Sequence, residues 1–87
     1  MTNNIEYVLQ NDFRNNILYL YDFYIAAKCK NIKHAALLNK TSYTTISRSI
    51  RDLESKCSLR LIIPNNRGIE LTNDGIKLYK NLVKKFN

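Results

Sequence analysis

Between Ser42 and Cys57 the chain reads SYTTISRSIRDLESKC, and within it Ile46, Ile50, Leu53 and Cys57 recur at i, i+4, i+7 and i+11. At 100° per residue these side chains fall on one stripe, and the remaining positions are polar. A segment divided in this way is a helix with one face in a core. Ser42 is a good N-cap, and Asp52, Glu54 and Lys56 favour continuation, which offsets the poorer helix formers Thr44, Thr45 and Ile46. Once the stripe is buried, Tyr43, Thr44, Ser47, Arg48 and Arg51 present hydroxyls and guanidinium groups outward. A helix that buries one side and offers hydrogen-bonding groups on the other has what is needed to read base edges in a DNA major groove.

The rest of the chain supplies partners for that helix. Residues 2–10 read as a short helix, with Asn3 and Glu6 in capping-box spacing and Ile5, Val8 and Leu9 as a brief apolar stripe. After a break at Asn11 and Asp12, the spacing predicts a longer helix over 13–29. Its core face is expected to comprise Ile17, Leu20, Tyr21, Tyr24, Ile25 and Cys29, widened by Leu18, Phe23 and Ala27. Asn31 caps a short helix over 32–39 in which Ala35 and Ala36 let another helix approach closely. The brief link to Ser42 is that of a helix-turn-helix. The period then changes. Leu59, Leu61 and Ile63 alternate as a strand bounded by Pro64, and Asn65 to Gly68 form a turn. Ile69 to Leu71 return, making a two-stranded wing with Arg67 at its tip. Thr72 caps a final helix with Asp74 in its first turn and Lys84 and Lys85 in its last. Ile76, Tyr79, Val83 and Phe86 form its apolar row, broadened by Leu78 and Leu82. The expected fold is mainly α, a winged helix-turn-helix. It divides into an extension (1–14), the winged unit (15–73) and a C-terminal linker-type helix (74–87).

At 87 residues this is one domain near the lower size limit for a self-sufficient core. No apolar run approaches the roughly 18 residues needed to span a bilayer, and no secretory signal is visible, so a cytoplasmic, nucleoid-associated protein is expected. Cys29 and Cys57 lack CxxC spacing and a second histidine, which points to reduced thiols and not to a metal site or disulfide. A Ser-His-Asp set or a phosphate-cradling glycine loop cannot be assembled from one histidine and two glycines. No cofactor and no enzyme activity are expected.

Charge is unevenly spread. Residues 1–27 carry Arg14 against Glu6, Asp12 and Asp22, whereas residues 28–67 carry nine cations against Asp52 and Glu54. Cations thus gather around the central helix, the footprint of a polyanion binder. A solubilised surface is the alternative reading of such a bias.

From Leu20 to Gly75 the sequence resembles the N-terminal DNA-binding domain of LysR-type transcriptional regulators. The resemblance is carried by Phe23; Ala35 and Ala36; Ser42, Ser47, Arg48, Ile50, Leu53 and Glu54; Leu61 and Ile62; and Leu71, Thr72 and Gly75. It departs where a common Gln-Pro pair is Tyr43-Thr44, where a usual arginine is Pro64, where a glycine is Ser58 and where a leucine is Asn39, with Leu38 expected to take the core place. Family members continue through a linker helix into a ligand-binding domain, so this chain is either a free-standing regulator or an excised domain. Regulation by a small-molecule inducer is not expected.

The resemblance implies that Arg48 enters the major groove and that Arg67 enters the minor groove. Ser42, Tyr43, Thr44 and Ser47 would contact bases or phosphates, and Lys33, Lys40 and Arg51 phosphates. The bland counterparts are a helix-face cation paired with Asp52 for Arg48, a solvated turn cation for Arg67 and a simple cap for Ser42. His34 is expected at the surface. Ile76, Tyr79, Val83 and Phe86 are assigned to homodimerisation. The leading expectation is a dimeric, sequence-specific double-stranded DNA-binding regulator. The competing one is a protein interaction module that pairs through the last helix without reading DNA. RNA binding ranks third, since no aromatic sheet face is available.

Overall fold

The computed structural model describes Ile5, Leu9 and residues 16–86. The elements of that span are α1 (Ile17–Cys29), α2 (Ile32–Leu38), α3 (Tyr43–Cys57), β1 (Ile62–Asn65), β2 (Gly68–Leu71) and α4 (Asn73–Phe86). This is a winged helix-turn-helix: α1 packs against α2, α3 and α4, and the hairpin closes one side. Of the expected N-terminal helix, Ile5 and Leu9 are helical, with Ile5 in the core and Leu9 packed on it; its other residues, the break at Asn11–Asp12 and the start at Phe13 lie outside the described residues.

The core follows from the α3 stripe. Ile46, Ile50, Leu53 and Cys57 are buried, and Leu20 and Phe23 of α1, Leu61, and Leu78 and Leu82 of α4 complete the cluster. Burial of each large aliphatic or aromatic side chain contributes about 1.5–3 kcal/mol. Both cysteines are free. Burial, reinforced by the Glu54 carboxylate, pushes the Cys57 thiol up to about 11, so it stays protonated at neutral pH.

Polar side chains fasten the elements to one another. The Ser49 hydroxyl donates to Asp22 Oδ2 at 2.6 Å, tying α3 to α1 inside an otherwise apolar contact. Glu54 accepts from the Leu61 N–H at 2.7 Å and the Ile62 N–H at 3.3 Å, so α3 holds the root of the wing. Arg60 Nε stands 3.7 Å from the same carboxylate. Thr72 joins wing to α4: its hydroxyl donates to the Arg60 carbonyl at 2.6 Å and accepts from the Gly75 N–H at 3.0 Å. A Cβ on Gly75 would lie 2.1 Å from the Leu61 carbonyl oxygen, so only glycine fits this crossing.

The wing pairs antiparallel, Ile62 with Leu71 through Asn65 with Gly68. Pro64 does not bound the strand as expected but lies within it, opposite Ile69. In a two-stranded sheet each strand has a free edge, where a residue without an N–H is tolerated. Ile63, expected on the same side as Leu61, is 47% exposed, because regular pairing begins only at Ile62 and the alternation does not carry across that join.

Two further expectations are corrected. On α1, Ile17 and Tyr21 are exposed and Leu18 is 74% exposed; the buried face is Leu20, Phe23, Tyr24, Ile25, Ala26 and Ala27. With apolar residues almost all round this helix, the approach of α3 selects which side is covered. Leu38 is 66% exposed and does not take the place of Asn39. Asn39 is half-buried, donating from Nδ2 to the Ala35 carbonyl at 2.9 Å and accepting from the Tyr21 hydroxyl at 3.3 Å, so a polar residue is satisfied where an apolar one was expected. On α4, the side chains turned fully into the core are Leu78 and Leu82.

Candidate nucleic-acid interface

The outward face of α3 is set by its cap and its stripe. Ser42 is extended, with φ −107° and ψ 154°, and its hydroxyl oxygen accepts the Thr45 N–H at 3.0 Å. The Ser42 and Thr45 hydroxyls are also 2.8 Å apart. Ser42 is therefore engaged as the cap that fixes the start of the helix. Behind it, Ile46, Ser49, Ile50 and Leu53 are buried, which leaves Tyr43, Thr44, Arg48 and Arg51 exposed and Ser47 half-buried. These five residues line one shallow depression of about 240 Å³. Asp52 does not reach Arg48: among the described residues no carboxylate stands within ion-pair distance of either guanidinium. Donors aimed at solvent in this way are available for phosphate oxygens and for base acceptors such as guanine O6 and N7.

The turn before α3 carries one of the expected phosphate cations, Lys40. Asn39 to Ser42 join α2 to α3, with the Thr41 N–H bonded to the Ala36 carbonyl at 3.0 Å and Lys40 at φ 54°. Lys33 and Lys40 are both exposed. Asn31 caps α2 by accepting the His34 N–H at 2.8 Å, and the His34 ring is exposed.

Arg67 sits at the wing tip, its N–H held by Asn65 Oδ1 at 2.8 Å. The tip is docked on the α1–α2 turn: Asn31 Nδ2 donates to the Arg67 carbonyl at 3.0 Å, and the Ile69 N–H donates to the Lys30 carbonyl at 3.0 Å. Gly68, at φ 149°, meets that turn so closely that an added Cβ would stand 2.2 Å from the Lys30 oxygen. The wing arginine is thus carried on a fixed arm.

The residues assigned to pairing divide. Ile76 is exposed, whereas Tyr79, Val83 and Phe86 are partly buried against their own core. Tyr79 stacks on Tyr24 at 5.7 Å, and Phe86 meets Tyr21 edge-on at 5.3 Å.

Sequence reading did not foresee the Asp22–Ser49 bond, the Glu54 hold on the wing or the docking of the wing tip on Lys30 and Asn31. One signal existed for the first: Asp22 is the lone charge between Ile17 and Ala27. The others depend on contacts between segments distant in sequence. No helix of the described residues is long and apolar enough to cross a membrane.

Residues 19–76 match the family described as "Bacterial regulatory helix-turn-helix protein, lysR family". No curated protein sequence matches the chain. Among solved structures, it is similar to the CbnR DBD in complex with DNA, at 29% identity and a TM-score of 0.72, over 76% of this chain and 76% of that one. It is similar to Vibrio fischeri DarR in complex with DNA at 34% identity and a TM-score of 0.67, over 77% of this chain and 24% of that one. The BenM DBD with catB site 1 DNA is 23% identical, at a TM-score of 0.72 over 76% of this chain and 74% of that one, and shows the fold alone. The chain thus spans about a quarter of DarR.

Proposed function

Since the chain belongs to the lysR family of bacterial regulatory helix-turn-helix proteins, we propose that it is a DNA-binding domain that acts in transcription regulation by sequence-specific contact with a duplex. The observation that carries this reading is the outer face of α3. Among the described residues Arg48 and Arg51 make no ion pair, and they stand beside the hydroxyls of Tyr43, Thr44 and Ser47 on a helix whose other face is locked in the core. In this reading α3 enters the major groove and Arg48 takes a base edge or phosphate, while Arg67 on its docked wing enters the adjacent minor groove. Ser42 orients the helix through its cap. Lys33, Lys40 and Arg51 hold phosphates and supply affinity without sequence choice. Relatives solved with DNA support the partner class.

Two copies paired through α4, with Ile76 as its most exposed apolar residue, would set two recognition helices about 34 Å apart, one turn of B-DNA. The protein binds and does not catalyse. No observation favours a module that pairs with proteins instead of DNA.

Arg48→Ala is expected to weaken specific binding by about 1–3 kcal/mol, roughly 5- to 150-fold in Kd. A footprinting titration at fixed salt measures it, and wild-type affinity in the variant would remove Arg48 from the groove.

A further inference from the structure

The two turns that flank α2 have one property in common. Lys30 has φ 56° and Lys40 has φ 54°, both in the left-handed region where a side chain crowds its own backbone and glycine is least strained. The chain has two glycines, and neither stands at these turns. Both stand at helix ends, as does Ser58 after α3 at φ 54°, so the conformation is that of an ordinary helix terminus and the case for either lysine rests on what surrounds it. Lys40 already has a phosphate role in the reading above. Lys30 has none.

Its surroundings supply one. The Lys30 carbonyl receives the Ile69 N–H, and the neighbouring Asn31 side chain holds the Arg67 carbonyl, so the α1–α2 turn and the wing tip form one unit. Lys30, His34 and Arg67 line a single open groove of about 830 Å³, in which Ala27, Cys29, Ile69, Leu71 and, from α4, Ile76 are apolar and Glu70 is the one carboxylate. Neither the Lys30 ammonium nor the Arg67 guanidinium makes an ion pair among the described residues. With Arg67 alone, Glu70 would leave the groove nearly neutral; Lys30 makes it cationic.

We propose that this groove seats a sugar–phosphate strand of the bound duplex, with Lys30 as a phosphate-binding residue beside Arg67. The inference rests on the DNA-binding reading and deepens it. The dock between turn and wing then holds together the two backbone segments that carry these cations, so that Lys30 holds the strand while Arg67 reaches into the minor groove. Contacts of this kind set register and affinity and are indifferent to base sequence.

Lys30→Gly tests it in the 87-residue chain, because the substitution removes the cation and relieves the backbone at once. Thermal unfolding is expected to show equal or higher stability. Titrations across a salt series, on a specific and an unrelated duplex, are expected to show similar loss on both and a log Kd against log salt slope shallower by about 0.9. Arg48→Ala, run alongside, loses affinity chiefly for the specific duplex. Unchanged slope and affinity in Lys30→Gly, with Arg48→Ala still impaired, would overturn the Lys30 proposal and leave the DNA reading intact. Loss confined to the specific duplex would also overturn it, since that is base reading. Absence of duplex binding by the unaltered chain would overturn both.

Discussion

Helices α1 and α3 pack against each other on opposite plans. In α3 polarity is separated along the helix, with isoleucines, a leucine and a cysteine inward and arginines and hydroxyls outward. In α1 nearly every residue from Ile17 to Ala27 is apolar, and the single carboxylate, Asp22, is spent on Ser49 of α3. A segregated helix declares its orientation before it folds, and its polar face is free for a ligand. An apolar helix serves as a support whose orientation its neighbours choose. The face proposed to meet DNA therefore lies on the helix with the more divided sequence, while the helix with the more apolar one carries the core.

The contrast can be tested from the inside outward. Phe23→Ala, at the centre of the supporting face, is expected to lower stability by about 3–5 kcal/mol in chemical denaturation, because a fully buried ring leaves a cavity. A loss near 1 kcal/mol would mean that α1 is not the support. Ser49→Ala separates the helices less violently: it strips Asp22 of a donor at 2.6 Å, and a loss of about 1.5–3 kcal/mol is expected for a bond to a charged group. Because Ser49 faces inward, nonspecific DNA affinity in Ser49→Ala should stay close to that of the unaltered chain while it remains folded. Leu18→Ser gives the smallest effect, within about 0.5 kcal/mol, as for other exposed positions. A larger loss in the same denaturation experiment would show Leu18 covered in solution, and α1 would then have two working faces.

How far the sequence could be read varied with the range of the forces involved. The α3 stripe, the Ser42 cap, the Asn65–Gly68 turn and the Thr72 cap are local, and each is present where spacing placed it. The outward set on α3 followed from the stripe, since burying Ile46 and Ile50 leaves Ser47, Arg48 and Arg51 nowhere else to point. Three of the positions that went astray share a reason. Leu18, Leu38 and Ile63 are apolar residues at which local pattern permits burial, and the number of neighbours arriving from elsewhere did not suffice to cover them. Asn39 shows the converse, a polar residue made acceptable inside by Ala35 and Tyr21.

Periodicity and caps, which act over three or four residues, determined that this protein has an amphipathic central helix, a turn before it, a hairpin after it and a cationic outer face. Only the tertiary structure decided which side of α1 meets the core, that Glu54 grips the root of the wing, and that the wing tip rests on Lys30 and Asn31. Those outcomes depend on backbone groups of remote segments coming within hydrogen-bond distance, and that proximity is a property of the packed chain, which no short window of sequence contains.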